Sequence, residues 1–185
     1  MKEINNLKER FVIHKLSKDE QVISFDCGDN DLNDFVINDA PKYLSSKLAV
    51  TYVLIDRDNS DQVVAFCSLA NDRISMSDFD NRTEFNKFRR GQHFPQSKRL
   101  KSYPGVKICR LGVNRNLKGH NIGTFMLDFI KLFFTDDNKT GCRFLTVDAY
   151  LDAIPFYEKN GFSPLNSDDE KSDYTRLLFF DLNDI

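Results

Sequence analysis

The residues with the most to say about chemistry lie between Lys107 and Phe129, in KICRLGVNRNLKGHNIGTFMLDF. An apolar run, Ile108 to Val113, leads into a polar loop, Asn114 to Gly123, with glycines at 119 and 123. TFMLDFIKLFF then repeats Phe125, Met126, Phe129, Ile130 and Phe133 at helical spacing. A strand, a glycine-bearing loop and a helix start, in that order, aim several backbone N–H groups and the positive end of a helix dipole at one point. Such a point suits a phosphate or pyrophosphate. Two familiar phosphate loops are excluded by spacing. Gly119 and Gly123 are four apart with Thr124 and no lysine after them, and no GxGxxG occurs. A purely structural glycine turn fits the same letters.

Other reactive side chains point less far. The four cysteines (27, 67, 109 and 142) are widely spaced, and none forms a CxxC pair. That pattern argues against a metal site or a disulfide framework and predicts buried free thiols in a reducing compartment. His14, inside FVIHKL, reads as a packed or edge histidine rather than a catalytic one.

These groups need elements to position them. Residues 11 to 16 read as a first strand. Asp29 and Asn30 are placed to cap a helix with Leu32, Phe35, Val36 and Ala40 on one side. LAVTYVLID and VVAFCSLAND form a strand pair around a turn at DNSDQ. FLTVDA, residues 144 to 149, is another strand. DAIPFYEKNGF reads as a short helix with Pro155 near its start and Asn160-Gly161 as its stop. Asp136 to Gly141 is a turn, NSDDEKSD an acidic hairpin loop, and YTRLLFFDL the last strand.

The chain has 185 residues, 41% of them hydrophobic, with 17 Phe and no Trp. That is enough for one domain with a sizeable core, and no repeat or linker divides it. Its net charge of −2 makes no global case for nucleic acid. Residues 82 to 107 differ: eight Lys/Arg stand against Glu84 alone, leaving −9 for the rest of the chain. Phe85, Phe88, Phe94 and Tyr103 interleave these charges. Basic residues with aromatics suit a polyanion whose bases stack. The other reading, which the sequence favours, is a solvated loop whose aromatics anchor in the core. The N-terminus, MKEINNLKERF, is charged and lacks an apolar stretch, and no run reaches membrane-span length, so a cytoplasmic protein is expected, with no membrane partner.

Two phrases together resemble the acetyl-CoA-dependent N-acetyltransferases of the GNAT superfamily. The tyrosine phrase A-x-x-F-Y-x-x-x-G-F is intact as Ala153, Phe156, Tyr157, Gly161 and Phe162. The loop phrase [QR]-x-x-G-x-[GA] is imperfect: Lys118 replaces Gln/Arg and Asn121 replaces the first glycine, though asparagine tolerates left-handed backbone better than most residues. The phrase F-D-C-G followed by Leu-x-x-Phe resembles the branch that contains the acetyltransferase toxins of toxin–antitoxin pairs, which acetylate the amino group of aminoacyl-tRNA.

The resemblance covers about residues 10 to 165 and implies an α/β fold, with residues 1–185 read as a single domain: a central mixed, mostly antiparallel twisted sheet, splayed between its fourth and fifth strands and flanked by helices. It implies direct acetyl transfer from acetyl-CoA to a primary amine, without a metal. Leu111, Gly112 and Val113 would pair with the pantetheine arm, and a backbone N–H at Val113 or a neighbour would face the thioester oxygen. The amides of Lys118, Gly119, His120, Asn121, Ile122, Gly123 and Thr124 would hold the pyrophosphate. The Lys118 ammonium adds a point charge there, and His120 either reaches a phosphate or faces solvent. Tyr157 would be the general acid that protonates the leaving thiolate. On its helix Phe156 would pack while Tyr157 reaches the cleft. Asp148 is a candidate base whose facing the sequence leaves open. Cys109 and Cys142 lack any evident activating partner for an acyl-enzyme. Arg89 and Arg90 are the candidate contacts to a charged tRNA acceptor, and an antitoxin protein and a second copy of the chain are the implied protein partners. Two alternatives stand beside this reading: acetylation of small amines, amino acids or protein amino groups, and a non-catalytic acyl-CoA-binding module.

Overall fold

The computed structural model describes residues 10–59, 62–94, 100–136, 140–166 and 174–185. The expected acidic loop, part of the 136–141 turn, and Lys98 and Arg99 of the basic stretch fall outside these residues. Seven strands, β1 (Phe11–Lys15), β2 (Val50–Asp56), β3 (Gln62–Ser75), β4 (Ser102–Val113), β5 (Phe144–Tyr150), β6 (Ser163–Pro164) and β7 (Thr175–Asp181), form one sheet. Their order is β1-β2-β3-β4-β5-β7-β6. The pairs β1–β2, β2–β3, β5–β7 and β6–β7 are antiparallel. The β4–β5 pair is parallel and runs over three residues, Gly105–Lys107 against Phe144–Thr146. The sheet is therefore mixed, mostly antiparallel and not closed, and its parallel ladder ends where splaying is expected.

One strand is longer than its apolar run suggests. β4 begins at Ser102, six residues before Ile108. Basic Lys101 and Lys107 flank buried Tyr103, Gly105 and Val106 and disguise the strand as part of a charged loop. Gly105 has a specific task there: a Cβ on it would lie 2.9 Å from the Phe144 carbonyl oxygen, so only glycine permits the parallel approach.

By packing, the chain divides into two compact units, 1–70 with 108–132, and 71–107 with 133–185; β3 and β4 run through both. In the first unit, helix α1 (Asn30–Asp34) starts where the Asp29 side chain accepts from the N–H groups of Asp31 and Leu32. A π-helical turn, Phe35–Asp39, follows, then α2 (Ala40–Ser45). Pro41 has no N–H to return to Ile37, and the Ala40 N–H reaches back to the Phe35 carbonyl instead. The core here gathers Leu16, Val22, Phe25, Phe35, Val36, Val53 and Phe66. Helix α4 (Ile122–Thr135) buries Ile122, Met126, Leu127 and Ile130.

In the second unit, residues 82–91 form helix α3 (Arg82–Gly91), where the sequence reads only as a basic stretch. Asn81 caps it by accepting from Thr83 and Glu84 N–H. Its Phe85 and Phe88 join Ile74, Phe79, Tyr103, Phe144 and Leu165 in an aromatic core, and Phe94 stacks on Tyr103 with ring centres 3.8 Å apart. All four aromatics pack in this cluster, Phe85 and Tyr103 buried and Phe88 and Phe94 half-buried, which favours the reading in which they anchor in the core over the one in which they stack bases. Among the described residues no helix is long and apolar enough to cross a membrane.

Candidate active site

The loop after β4 is built in the first unit. Buried Asn114 ends the strand: its N–H donates to the Val64 carbonyl at 2.8 Å, and its side chain accepts from the Asn116 N–H, which starts a 3-10 turn over Arg115–Leu117. Lys118 is extended. Gly119 takes φ 83 and Asn121 φ 59. The residue that replaces a glycine thus adopts the glycine conformation, which asparagine pays little to enter. The Phe125 N–H closes the first turn of α4 on the Asn121 carbonyl at 2.9 Å. The N–H groups of the preceding helical residues, Ile122, Gly123 and Thr124, therefore stand at an N-terminus that has no carbonyl a turn earlier. Lys118, Gly119, His120 and Asn121 are exposed, and a Cβ at Gly119 would meet nothing within 4 Å. Turned amides, a helix dipole and an open side fit a pyrophosphate. His120 Nδ1 lies 3.2 Å from the Lys118 carbonyl, so its ring is engaged with its own loop.

The F-D-C-G phrase, residues 25–28, braces this loop. The Arg115 N–H donates to the Asp26 carbonyl, and the Arg115 guanidinium bonds the Asp26 carboxylate at 2.6 Å. That contact, ahead of the Gly28 N–H and Asn33, holds the Asp26 carboxyl below its usual pKa, against a smaller upward push from desolvation. Gly28, at φ 87, lies beneath Lys118: a Cβ there would be 3.8 Å from the Lys118 ammonium nitrogen. Sequence reasoning missed Asp26 and Arg115. They are 89 residues apart, and no local pattern joins them.

Within β4, Leu111 and Val113 are half-buried and Gly112 is buried. A Cβ at Gly112 would come within 2.6 Å of the Phe66 ring, which explains the glycine. Arg110, also missed, lies with its guanidinium carbon 4.0 Å over the Phe35 ring and 5.6 Å from that of Tyr43.

In the second unit, a 3-10 turn (Leu151–Ala153) leads into α5 (Ile154–Lys159). Gly161 at φ 84 ends it, with Gly161 and Phe162 N–H groups returning to the Glu158 and Tyr157 carbonyls. Tyr157 is only 6% exposed and lies edge-on between Phe156 and Phe162, at ring distances of 5.1 and 5.4 Å. Phe156 is half-buried, and the tyrosine is the more enclosed of the two. Asp148 is exposed and ion-paired with Lys107, which takes up a carboxylate considered as a base. The cysteines also divide: Cys27 and Cys67 are buried, whereas Cys109 is exposed and Cys142 half-buried. Burial pushes the Cys142 thiol up to about 11, away from a reactive thiolate. Arg89 is half-buried, donating to the Tyr103 hydroxyl at 3.1 Å and to Asn86, while Arg90 is exposed. The two arginines are therefore not equivalent: Arg89 is partly occupied in holding the aromatic core.

Comparison with known proteins bears on the family and the fold. The acetyltransferase (GNAT) family matches residues 13–162. No curated protein matches the chain by sequence. Among solved structures, a tyrosine-to-phenylalanine mutant of KacT is similar at TM-score 0.75 and 18% identity, covering 95% of this chain and 96% of its own. AtaT complexed with acetyl-methionyl-tRNAfMet is similar at TM-score 0.73 and 23% identity (94% and 96% covered). AtaTR bound with AcCoA is similar at TM-score 0.73 and 22% identity (95% and 96% covered). At these identities the likeness to solved structures concerns the fold. The family match spans most of the sequence, and the chain belongs to the GNAT acetyltransferase family.

Proposed function

We propose that this protein transfers the acetyl group of acetyl-CoA directly to the amino group of an aminoacyl-tRNA. The observation that carries the acetyl-transfer half is the loop. Gly119 and Asn121 both take left-handed backbone immediately before the start of α4, which leaves its first amides free for the pyrophosphate. The acceptor half is supported by the complex of AtaT with acetyl-methionyl-tRNAfMet and by exposed cationic residues such as Arg90 on α3.

In this reading the loop amides and Lys118 bind the anionic end of the donor, and the β4 backbone around Leu111 to Val113 aligns the pantetheine arm. A β4 N–H polarises the thioester carbonyl. The neutral amine attacks that carbonyl, a C–N bond forms, and the C–S bond breaks. The Tyr157 hydroxyl supplies a proton to the departing thiolate, and water takes the proton lost by the amine. The raised Cys142 thiol favours direct transfer over an acyl-cysteine at that position.

The test is transfer from labelled acetyl-CoA to bulk aminoacyl-tRNA beside a panel of small amines, with wild type and Tyr157→Phe. Label on charged tRNA that falls with Tyr157→Phe is the expected result. Label on small amines alone makes the protein a modifying enzyme of another acceptor, and bound acetyl-CoA with no label anywhere makes it a non-catalytic module. An antitoxin-type protein and a second copy of the chain are the protein partners this reading implies, after AtaT bound to the C-terminus of AtaR.

A further inference from the structure

We propose that Arg110 is an anion-binding residue that holds a backbone phosphate of the nucleic-acid acceptor. The proposal rests on the aminoacyl-tRNA reading and deepens it by naming the group that is gripped and the residue that grips it. Arg110 sits on β4, next to Leu111. Its side chain is half-buried, and its guanidinium lies over Phe35 and beside Tyr43. Among the described residues it makes no ion pair and no hydrogen bond; the two rings are its only polar or aromatic engagements. Two acids on this helical segment are occupied elsewhere. Asp34 accepts from the Asn38 amide at 2.6 Å, and Asp39 holds Lys42 at 2.8 Å.

A guanidinium held over an aromatic ring makes its contact through the cation and the ring's π face and leaves its fork of N–H donors for another partner, and that fork matches a phosphate. Stacking also fixes the fork in place before a ligand arrives, so less freedom is lost on binding. Two further observations mark this face. Phe35 is presented by a π-helical turn, a rare geometry that recurs at functional sites. Thr51 and Ser68, opposite one another on the β2–β3 ladder, are buried with hydroxyls that have no hydrogen-bond partner. They stand two positions along their strands from Val53 and Phe66 of the cluster that contains Phe35, and so on the same side of the sheet. The anion is a phosphate because the amino acid of an aminoacyl-tRNA is esterified: the acceptor brings no free carboxylate, only its backbone.

The experiment uses the full chain, a CCA-ended RNA hairpin and the variants Arg110→Gln and Arg110→Lys, with hairpin affinity measured across a salt series. Arg110→Gln is expected to raise the hairpin Kd about tenfold and to lower the salt slope by about one, with the acetyl-CoA Kd unchanged. Arg110→Lys should fall between, since it keeps the charge and loses the fork, and it also serves as the folded control. In acetylation assays the KM for an aminoacylated hairpin should rise more than the KM for puromycin, an aminoacyl nucleoside without phosphate. An unchanged hairpin Kd and salt slope in both variants would overturn the proposal. So would an Arg110 dependence that appears with free amino acids and not with RNA, which would make the anion a carboxylate. Arg110-dependent hairpin binding with no acetylation of the charged hairpin would uphold the phosphate site and remove the aminoacyl-tRNA reading.

Discussion

The phosphate loop and the tyrosine phrase reverse each other's relation between letters and structure. The loop departs from its family phrase at Lys118 and Asn121, yet Gly119 and Asn121 take the backbone turns the phrase exists to secure. The tyrosine phrase is letter-perfect, yet its Tyr157 is packed to 6% exposure between two phenylalanines. A loop function carried by main-chain amides depends on φ and ψ, and any residue that reaches them will serve. A function carried by one hydroxyl depends on where that side chain is directed, and identity alone does not fix direction.

The largest effect should come from the tyrosine. Tyr157→Phe keeps the ring contacts and removes only the hydroxyl, so the melting temperature should hold while kcat falls about a hundredfold, the lower end for general acid catalysis. An unchanged kcat would make Tyr157 a core residue and break the comparison on that side. On the loop side, Gly119→Val forces a branched side chain into φ 83, a strain of about 1–3 kcal/mol; acetyl-CoA affinity measured by calorimetry should weaken about tenfold or more. Asn121→Gly should match or exceed the wild-type affinity, and a loss would show that the asparagine side chain, and not its backbone, matters.

Gly112→Ala sharpens the point for a glycine whose reason is packing. The new methyl would press on Phe66, and thermal unfolding should report a loss of about 1–3 kcal/mol. The smallest effect belongs to the brace. Arg115→Ala should weaken acetyl-CoA binding a few-fold with little change in melting temperature. Because the Asp26 carboxyl is held below its usual value of 3.8, its contribution is present above that pH and is lost as the pH falls below it. Arg115→Ala should therefore flatten the acid limb of a binding-versus-pH curve, and an unaltered limb would show that the ion pair does not hold the loop.

Much of the strand order was legible because half-buried strands announce themselves by alternation and helices by their caps. Asp29 caps α1, and Asn160-Gly161 ends α5, at the positions their chemistry indicates. Residues 82–107 were less legible. Their basic side chains suggested a nucleic-acid loop, while the structure makes the first part a helix and the last part the start of β4. Amphipathic arginine and lysine carry apolar stems over a core as readily as they reach solvent, so charge along a segment does not say which side its aromatics take.

By itself the sequence determined the family and the strand–loop–helix order and marked Asn121 and Gly161 as places where the backbone turns left, since these depend on local letters and spacing. Only the tertiary structure decided that Asp26 braces Arg115, that Arg110 lies on Phe35, that Lys107 takes up Asp148, and that Tyr157 is enclosed. Each of those facts depends on which side chains distant in sequence are packed within a few ångströms of one another, and that distance is set by the whole sheet, not by any stretch of it.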